Sequence, residues 1–518
     1  METKKILWVD DEIDLLKSHI MFLGSKGYDV IPAANGDDAI ELVRQENFDV
    51  VLLDEMMPGR DGLSTLVAMK EIRPDLPVIM ITKNEEETLM EEAIGSKIDD
   101  YLTKPVNPSQ ILMALKKIIE GKKLSEERLS RDYVQEFQQI NLTLVDNIGW
   151  QDWIDIHVKL TGWEVELDRH PDMGLQQSLE GQRETCNGDF SKFIEQNYRK
   201  WMKNSDRPPL SVDVVGKYVF PLLKTGKNVL FLVVDCMRMD QWLAIEDLLG
   251  DFFNLKRDYY YSILPTATPY ARNALFAGLF PAEIEQQYKD LWQKGEEDES
   301  SSNRYERQLM ENQLASAGIS LKPEPKYIKI LDSEEGVRVE RKVASLFNIP
   351  LISIVINFVD ILAHSRASSD IIKEMVPNES AYRSIVRSWF EHSSLFSLLK
   401  TFASRHNTVV VMTSDHGSVR VQRGTKVISD RDASTNLRYK HGRNLKCDRK
   451  HALFVKEPTD FNLPQRGINA NYIIAKEDYY FIYPTNYNKY LNYFRYSFQH
   501  GGVSLEEMIL PIYTMERR

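Results

Sequence analysis

The sequence predicts an α/β protein in three parts: a doubly wound five-stranded domain, an all-α helical linker bundle, and a larger α/β domain. Three observations carry this reading. Up to about residue 120, short apolar runs alternate with amphipathic stretches. Between 121 and 222 the strand-like runs stop and apolar residues recur at helical spacing. From 223 onward the strand-like runs return. At 518 residues the chain exceeds what one hydrophobic core supports, so we place domains at 1–120, 121–222 and 223–518.

In the first part, "KILWVD", "YDVIPA", "DVVLLD", "PVIMIT" and "DDYLTK" are strand-length runs with periodic helices between them. This is the pattern of a parallel sheet covered on both faces. In the second, "SEERLSRDYVQEFQQINLTLV" and "GWQDWIDIHVKLTGWEVEL" are helical, and Asp189 is an N-cap candidate in "CNGDFSKFIEQNYRKWM". "SDRPPLS" then breaks the pattern, so a small bundle should join two α/β domains. The third part offers "NVLFLVVD", "LISIVINFVD", "NTVVVMTSD", "HALFVKE" and "EDYYFIYP" as strands. Its acidic stretch 293–307, within "WQKGEEDESSSNRYER", is expected to be an exposed, mobile insertion, either a lid or a plain surface loop.

A formal net charge of −12 disfavours unaided binding to duplex nucleic acid or an anionic membrane, because phosphates would be repelled. Cys186, Cys236 and Cys447 are widely spaced and form no CxxC, which points to a reducing compartment and away from thiolate metal ligands. "METKKILWVDDE" turns acidic where a signal peptide's apolar region should continue, and the longest apolar runs are strand-sized. A cytoplasmic protein without membrane contact is the expectation.

Polar residues gather at strand ends of the first part. Asp10 and Asp11 follow the first strand, Asp54 ends the third, Thr82 ends the fourth, and Lys104 ends the fifth. In an open parallel sheet these ends meet at one crevice. Three carboxylates there repel one another unless a cation intervenes, and Mg²⁺ suits carboxylates plus phosphate oxygens. A lysine and a hydroxyl on the opposite side would bind the remaining phosphoryl oxygens.

"ILWVDDE", "VLLDEMMPGRDG", "MIT" and "YLTKP" resemble the receiver domain of two-component response regulators. The resemblance implies that Asp54 is the phosphoacceptor and that Asp10 and Asp11 form the acidic pocket. It assigns the Met56 backbone carbonyl to magnesium, Thr82 and Lys104 to the phosphoryl group, and Tyr101 to the aromatic switch.

The third part repeats the theme with histidines. "FVDILAHSR" supplies Asp360 and His364 after one strand, "VLFLVVDCMRMD" supplies Asp235, "VVVMTSDHG" supplies Asp415 and His416, and "SFQHGGVSLEEMILP" supplies His500. Singly, each aspartate reads as a helix cap. Together they sort into two sets: Asp360, His364 and His500; and Asp235, Asp415 and His416. Each is a three-ligand set with an open position, the pattern of catalytic zinc. Manganese tolerates the same ligands, but imidazole favours zinc. Two such ions side by side would clamp the oxygens of a phosphoryl displacement. For the nucleophile, "LPTATPYARNALFAG" offers Thr266 and Thr268 at the start of a helix, where the dipole favours an anionic phosphoryl group.

The order of these motifs resembles the alkaline phosphatase superfamily, and "VVDCMRMDQW", "LPTATPYARNALFAG", "TSDHG" and "HGGVSLEEMILP" resemble its PglZ domains. The resemblance implies that Thr268 is the nucleophile, with Thr266 as runner-up, and that phosphodiesters are preferred to monoesters. Receiver, helical linker and PglZ domain together resemble the PorX response regulators, which act in control of type IX secretion in Bacteroidota. That resemblance implies a sensor histidine kinase upstream, a sigma factor or secretion component as partner, and a homodimer on phosphorylation.

Two stretches stay open. Arg238 lies three residues after Asp235, where it serves either substrate phosphate or an ordinary ion pair. "NLRYKHGRNLK" is either a solvated loop or, through Arg438, Lys440 and His441, a holder of a polyanion such as an oligonucleotide. His441 is also the first candidate for a seventh metal ligand. The alternative to a phosphodiesterase is a non-enzymatic platform whose metal domain binds a transcription or secretion partner when the receiver is phosphorylated. The lack of a helix-turn-helix motif after the receiver argues against direct DNA binding.

Overall fold

The computed structural model describes residues 3–83, 98–204, 206–293, 305–430, 434, 436–467 and 469–518. The chain divides into two compact units, 1–135 and 136–518. The centre of the acidic insertion, 294–304, lies outside the described residues. No helix among the described residues is long and apolar enough to cross a membrane.

In the first unit, β1 (Lys4–Val9), β2 (Tyr28–Ala33), β3 (Val50–Asp54), β4 (Val78–Thr82) and β5 (Asp100–Thr103) form one sheet. The order is β2-β1-β3-β4-β5, and every neighbouring pair is parallel. Side chains alternate along a strand. Leu7, Val9, Val51, Leu53, Val78 and Met80 therefore pack on one face, and Ile6, Trp8, Val50, Leu52, Ile79 and Ile81 on the other. Ala39, Ile40 and Val43 of helix Gly36–Gln45 and Leu66 and Met69 of helix Gly62–Ile72 cover the first face. Leu23 of helix Lys17–Ser25 and Ile111 and Leu115 of helix Pro108–Thr143 cover the second. The expected doubly wound sheet is the one found, and its strand order reverses between β1 and β3, which opens a crevice over their carboxyl ends.

Helix Pro108–Thr143 runs for 36 residues, straight through the boundary drawn at residue 120. "KKIIEGKKLSEERLS" contains one glycine and no proline, and a single glycine costs a helix only about 1 kcal/mol. The boundary at 120 therefore falls inside one continuous helix rather than in a loop.

The second unit is built on a six-stranded sheet. β6 (Asn228–Val234), β7 (Phe253–Tyr261), β8 (Lys326–Ile330), β9 (Leu351–Ile356) and β10 (Thr408–Thr413) are joined by a final strand, Ile509–Arg517. The order is β7-final-β10-β6-β9-β8. β10, β6, β9 and β8 are parallel neighbours, whereas the final strand runs antiparallel to both β10 and β7. Central strands β6 and β9 are buried almost throughout, which explains their unbroken apolar runs. Leu230, Leu232, Ile352, Ile354, Val410 and Met412 pack beneath helices Met239–Gly250, Glu379–His392 and Ser394–Ala403. On the opposite face Phe231 meets Phe276 of helix Thr268–Ala277. "HALFVKE" and "EDYYFIYP" form strands, but in small peripheral sheets.

Helices Trp150–Arg169 and Gln176–Trp201 form the expected helical linker and are grouped with this second compact unit. Phe190 and Trp201 pack on Tyr261 at the end of β7, and Tyr198 stacks on Phe461. Buried charges add to this apolar seam. Arg383 donates to both oxygens of Asp168 (2.7 and 3.0 Å) and to Asp240 (3.0 Å). Removing one partner of a buried pair leaves the others uncompensated. Arg383→Ala should therefore lower stability by about 3–5 kcal/mol, read as a shift in the urea midpoint of tryptophan fluorescence. A shift worth less than about 1 kcal/mol, the level of an exposed ion pair, would contradict this account.

Candidate functional site

The first unit carries a compact acidic site. Asp54 closes β3 and is buried, as is Asp10 just beyond β1, while Asp11 is exposed. One oxygen from each of the three carboxylates lies within 4.8 Å of the others. Asp10 Oδ1 accepts from the Glu12 N–H (2.8 Å), leaving Oδ2 to Lys104 Nζ at 3.1 Å. The same ammonium lies 2.9 Å from Asp54 Oδ2. Burial raises the Asp54 pKa, with Lys104 pulling the other way. Thr82 ends β4 beside this pair, and its carbonyl accepts from the Lys104 N–H (2.7 Å). The Tyr101 and Met56 side chains are both exposed.

In the second unit, β10, β6 and β9 are parallel neighbours, so their carboxyl ends share one edge. Asp235 follows β6, Asp360 and His364 lie on helix Phe358–Ser368 just after β9, and Asp415 and His416 follow β10. His500 arrives from the short strand Phe498–Gln499, which pairs with Val419–Arg420. Donor atoms of Asp360, His364 and His500 all lie within 4.8 Å of one another, and so do those of Asp235, Asp415 and His416. His364 Nε2 is 3.0 Å from His500 Nε2, and the two nitrogens lie 3.3 and 3.5 Å from Asp360 Oδ1. His416 Nε2 is 3.6 Å from both Asp235 Oδ1 and Asp415 Oδ2. The His416 and His500 rings stack at 4.3 Å, setting the two clusters side by side.

This donor set fits a pair of zinc ions. Asp415 Oδ2 is buried and has no hydrogen-bond partner among the described residues, a costly state for a polar atom. His416 Nδ1 lies 3.1 Å from the Gly417 carbonyl, a contact that calls for a proton on Nδ1 and leaves the Nε2 lone pair facing the carboxylates. Burial and the Asp235 carboxylate push Asp415 up to about 7. Burial, then His416, pulls His500 well below its ordinary value. Burial acts to raise Asp360, but His364 and His500 hold its carboxyl below its ordinary value. A divalent cation would relieve the carboxylate repulsion and use the neutral imidazoles.

The two threonines separate clearly. Thr268 begins helix Thr268–Ala277, with Oγ1 3.0 Å from His416 Nε2 and 3.5 Å from Asp235 Oδ1. Thr266 is fully buried; its hydroxyl donates to the Gly502 carbonyl (2.7 Å) and accepts from the Gly501 N–H (3.2 Å). That commitment to backbone corrects its standing as alternative nucleophile.

Arg238 and Arg438 also need correction as phosphate-binding residues. Arg238 is 1% exposed, and its guanidinium pairs through Nε and Nη2 with Asp240 and Glu379 near the Tyr382 and Phe498 rings. Arg438 is just as buried, pairing with Glu507 and the carbonyls of Glu477 and Tyr479. A Cβ on Gly502 would collide with that guanidinium at 2.1 Å, so the glycine beyond His500 lets Arg438 brace the loop. Lys440 is buried too, donating to the Ser434 carbonyl (2.8 Å). His441 packs on Tyr472, where burial drops its pKa to about 4, and it belongs to neither donor cluster. Gly417, directly after His416, permits a close approach: a Cβ there would sit 1.9 Å from the Glu506 carbonyl.

Several residues at the site escaped the sequence reading. Asn357 donates to Asp235 Oδ2 (2.9 Å), and Arg272 pairs with the same oxygen. Tyr198 accepts from the Leu264 N–H (2.8 Å) in the loop before Thr268. Asn187 donates to Glu506 and accepts from the Leu505 N–H (2.8 Å) in the loop after His500. Arg272 carried one signal, as a lone cation one helical turn after Thr268 in a small-residue run. Tyr198 and Asn187 carried none.

Taken together, strand-end carboxylates beside a lysine and paired acid–histidine clusters on a second sheet define a receiver-bearing protein with an alkaline phosphatase-like domain. Family models agree over nearly the whole chain. Residues 6–116 match the response regulator receiver domain, 123–202 the PorX response regulator linker domain, and 214–515 the BREX system PglZ alkaline phosphatase-like domain. The chain belongs to the PorX-type response regulators with a PglZ domain. Among curated relatives, the transcriptional regulatory protein SrrA of Staphylococcus aureus is 30% identical over 166 residues, covering 32% of this chain and 68% of SrrA. Among solved structures, a CheY-like receiver from Methanospirillum hungatei is 28% identical, covers 24% of this chain and 99% of its own, and gives a TM-score of 0.23. A receiver from Clostridium thermocellum is 29% identical with 23% and 98% coverage and a TM-score of 0.22.

Proposed function

We propose that this protein is a phosphorylation-controlled, two-zinc phosphodiesterase with a threonine nucleophile, acting on a nucleotide or oligonucleotide type of substrate. The observation that carries this reading is the Thr268 hydroxyl at the edge of two adjoining acid–histidine clusters. Asp360, His364 and His500 would hold one zinc ion, and Asp235, Asp415 and His416 the other. Bound there, zinc would supply Lewis acidity, easing ionisation of a hydroxyl and neutralising phosphoryl charge. Thr268 Oγ attacks phosphorus and forms an O–P bond as the bond to the leaving alcohol breaks, and the hydroxyl proton ends on that alcohol. Water then cleaves the Oγ–P bond and restores Thr268. The positive end of helix Thr268–Ala277 favours the anionic phosphoryl group beside it.

Regulation would begin in the receiver. Asp54 takes a phosphoryl group from a sensor histidine kinase, with Asp10, Asp11 and the Met56 carbonyl around Mg²⁺. Thr82 and Lys104 then bind the phosphoryl oxygens and Tyr101 follows Thr82, favouring a homodimer. The PorX linker match supports a place in the control of type IX secretion, with a sigma factor or secretion component as partner. Three free thiols fit a reducing cytoplasm.

The test is metal analysis with hydrolysis of an aryl phosphodiester. We expect two zinc equivalents per chain, loss of hydrolysis on chelation, and recovery with zinc. His364→Ala should retain one equivalent, since it removes one of three donors from a single cluster. A chain that binds two ions but cleaves no ester would instead be the partner-binding platform.

A further inference from the structure

Asp235 uses its two oxygens differently. Oδ1 faces His416 Nε2 (3.6 Å) and Thr268 Oγ1 (3.5 Å), whereas Oδ2 accepts from Asn357 Nδ2 (2.9 Å) and Arg272 Nη1. Asp415 is divided in the same way. Its Oδ1 accepts from the Cys236 N–H (3.3 Å), and its Oδ2 lies 3.6 Å from His416 Nε2. Arg272 Nη1 is also 3.8 Å from that Oδ2, so one guanidinium reaches both carboxylates of the second cluster. Arg272 is 1% exposed, which rules out an ordinary surface ion pair.

A cation beside a metal cluster should oppose metal binding. Here it has a counter-charge of its own. Glu306, wholly buried, accepts from Arg272 Nε with Oε1 and from the Tyr327 hydroxyl with Oε2. The Arg272–Glu306 pair is therefore close to neutral as a unit. It leaves the two aspartates' charge available to a cation while holding their geometry, and a planar fork suits that task better than a lysine's single ammonium.

We propose that Arg272, neutralised by Glu306, is the positioning residue of the second cluster, turning Asp235 so that Oδ1 faces inward and holding Asp415 beside it. The inference rests on the reading of that cluster as a zinc site. Neither residue touches substrate in this role. It acts on metal affinity first and on turnover only through it.

The experiment is a zinc competition titration of the full chain against a chromophoric chelator. Wild type should bind two equivalents. Arg272→Gln and the double variant Arg272→Gln/Glu306→Gln should keep one equivalent at wild-type affinity and bind the other about 10–100-fold more weakly. The double variant removes Arg272 and its counter-charge Glu306 together, so neither is left without the other, and its far-UV circular dichroism reports whether the fold stands. Arg272→Lys should fall between wild type and glutamine. The inference is overturned if the double variant binds both equivalents at wild-type affinity. It is equally overturned if both equivalents are lost with the fold, since Arg272 would then serve the core. A wild-type chain that takes up fewer than two equivalents would remove the zinc reading itself, and this inference with it.

Discussion

Thr268→Ala should abolish phosphodiester turnover, lowering kcat by roughly 10³-fold or more, while the protein retains both zinc equivalents. The expectation follows from a division of labour at the site. The six proposed metal donors come from three aspartates and three histidines, so removing the hydroxyl takes away the attacking group and leaves both clusters intact. Thr266→Ala supplies the contrast. Its hydroxyl is tied to the backbone of Gly501 and Gly502, directly after His500. Loss of that tie should loosen the His500 loop and appear first as weaker zinc retention. An unchanged rate in Thr268→Ala would remove that residue as nucleophile, whatever its zinc content.

Asp54→Ala should eliminate labelling by acetyl phosphate entirely, as read by intact mass, with zinc content unchanged. Asp54 is the buried carboxylate at the end of β3, in contact with Lys104, whereas Asp11 is exposed and Asp10 already accepts a backbone N–H. Neither neighbour is placed to take over. The acid–histidine clusters proposed for zinc lie on a different sheet in the other compact unit, so the substitution should leave them alone. Dimer formation, followed by light scattering, should cease to respond to acetyl phosphate. If the response persisted in the variant, the receiver would not be the switch.

Much of this architecture was legible because its signals are local. β1, β3 and β4 announce themselves as apolar runs that end at a polar residue, and the parallel topology then gathers those ends without further information. Asp360 and His364 need only one helical turn to meet, and His500 could be grouped with them by chemistry although it lies 136 residues beyond His364. What sequence could not supply was the partner of a charge. Arg238 has Asp240 close by in "VDCMRMD", but neither its second partner Glu379 nor Arg438's partner Glu507 is near it in sequence. Arg272 was passed over for the same reason: its role depends on Glu306, which no local pattern connects to it. The junction at residue 120 is a different case, because it lies inside a helix that keeps its propensity across it and so carries no turn to mark it.

Tyr198 and Asn187 lie on one helix, Gln176–Trp201, and between them they hold the loop before Thr268 and the loop after His500. The helical segment is thus a wall of the alkaline phosphatase-like domain rather than a tether to it. A fragment starting at residue 223 would expose the Leu264 and Leu505 amides, leave Glu506 without Asn187, and bare the Tyr261 and Phe461 rings to water. Modular exchange of this output domain between receivers therefore has a natural cut point upstream, before Trp150, where the ring-to-ring contacts with Tyr261 begin to be assembled through Trp153 and Phe190. A chimera joined at 223 would inherit the acid–histidine clusters without the helical scaffold that braces the loops around them.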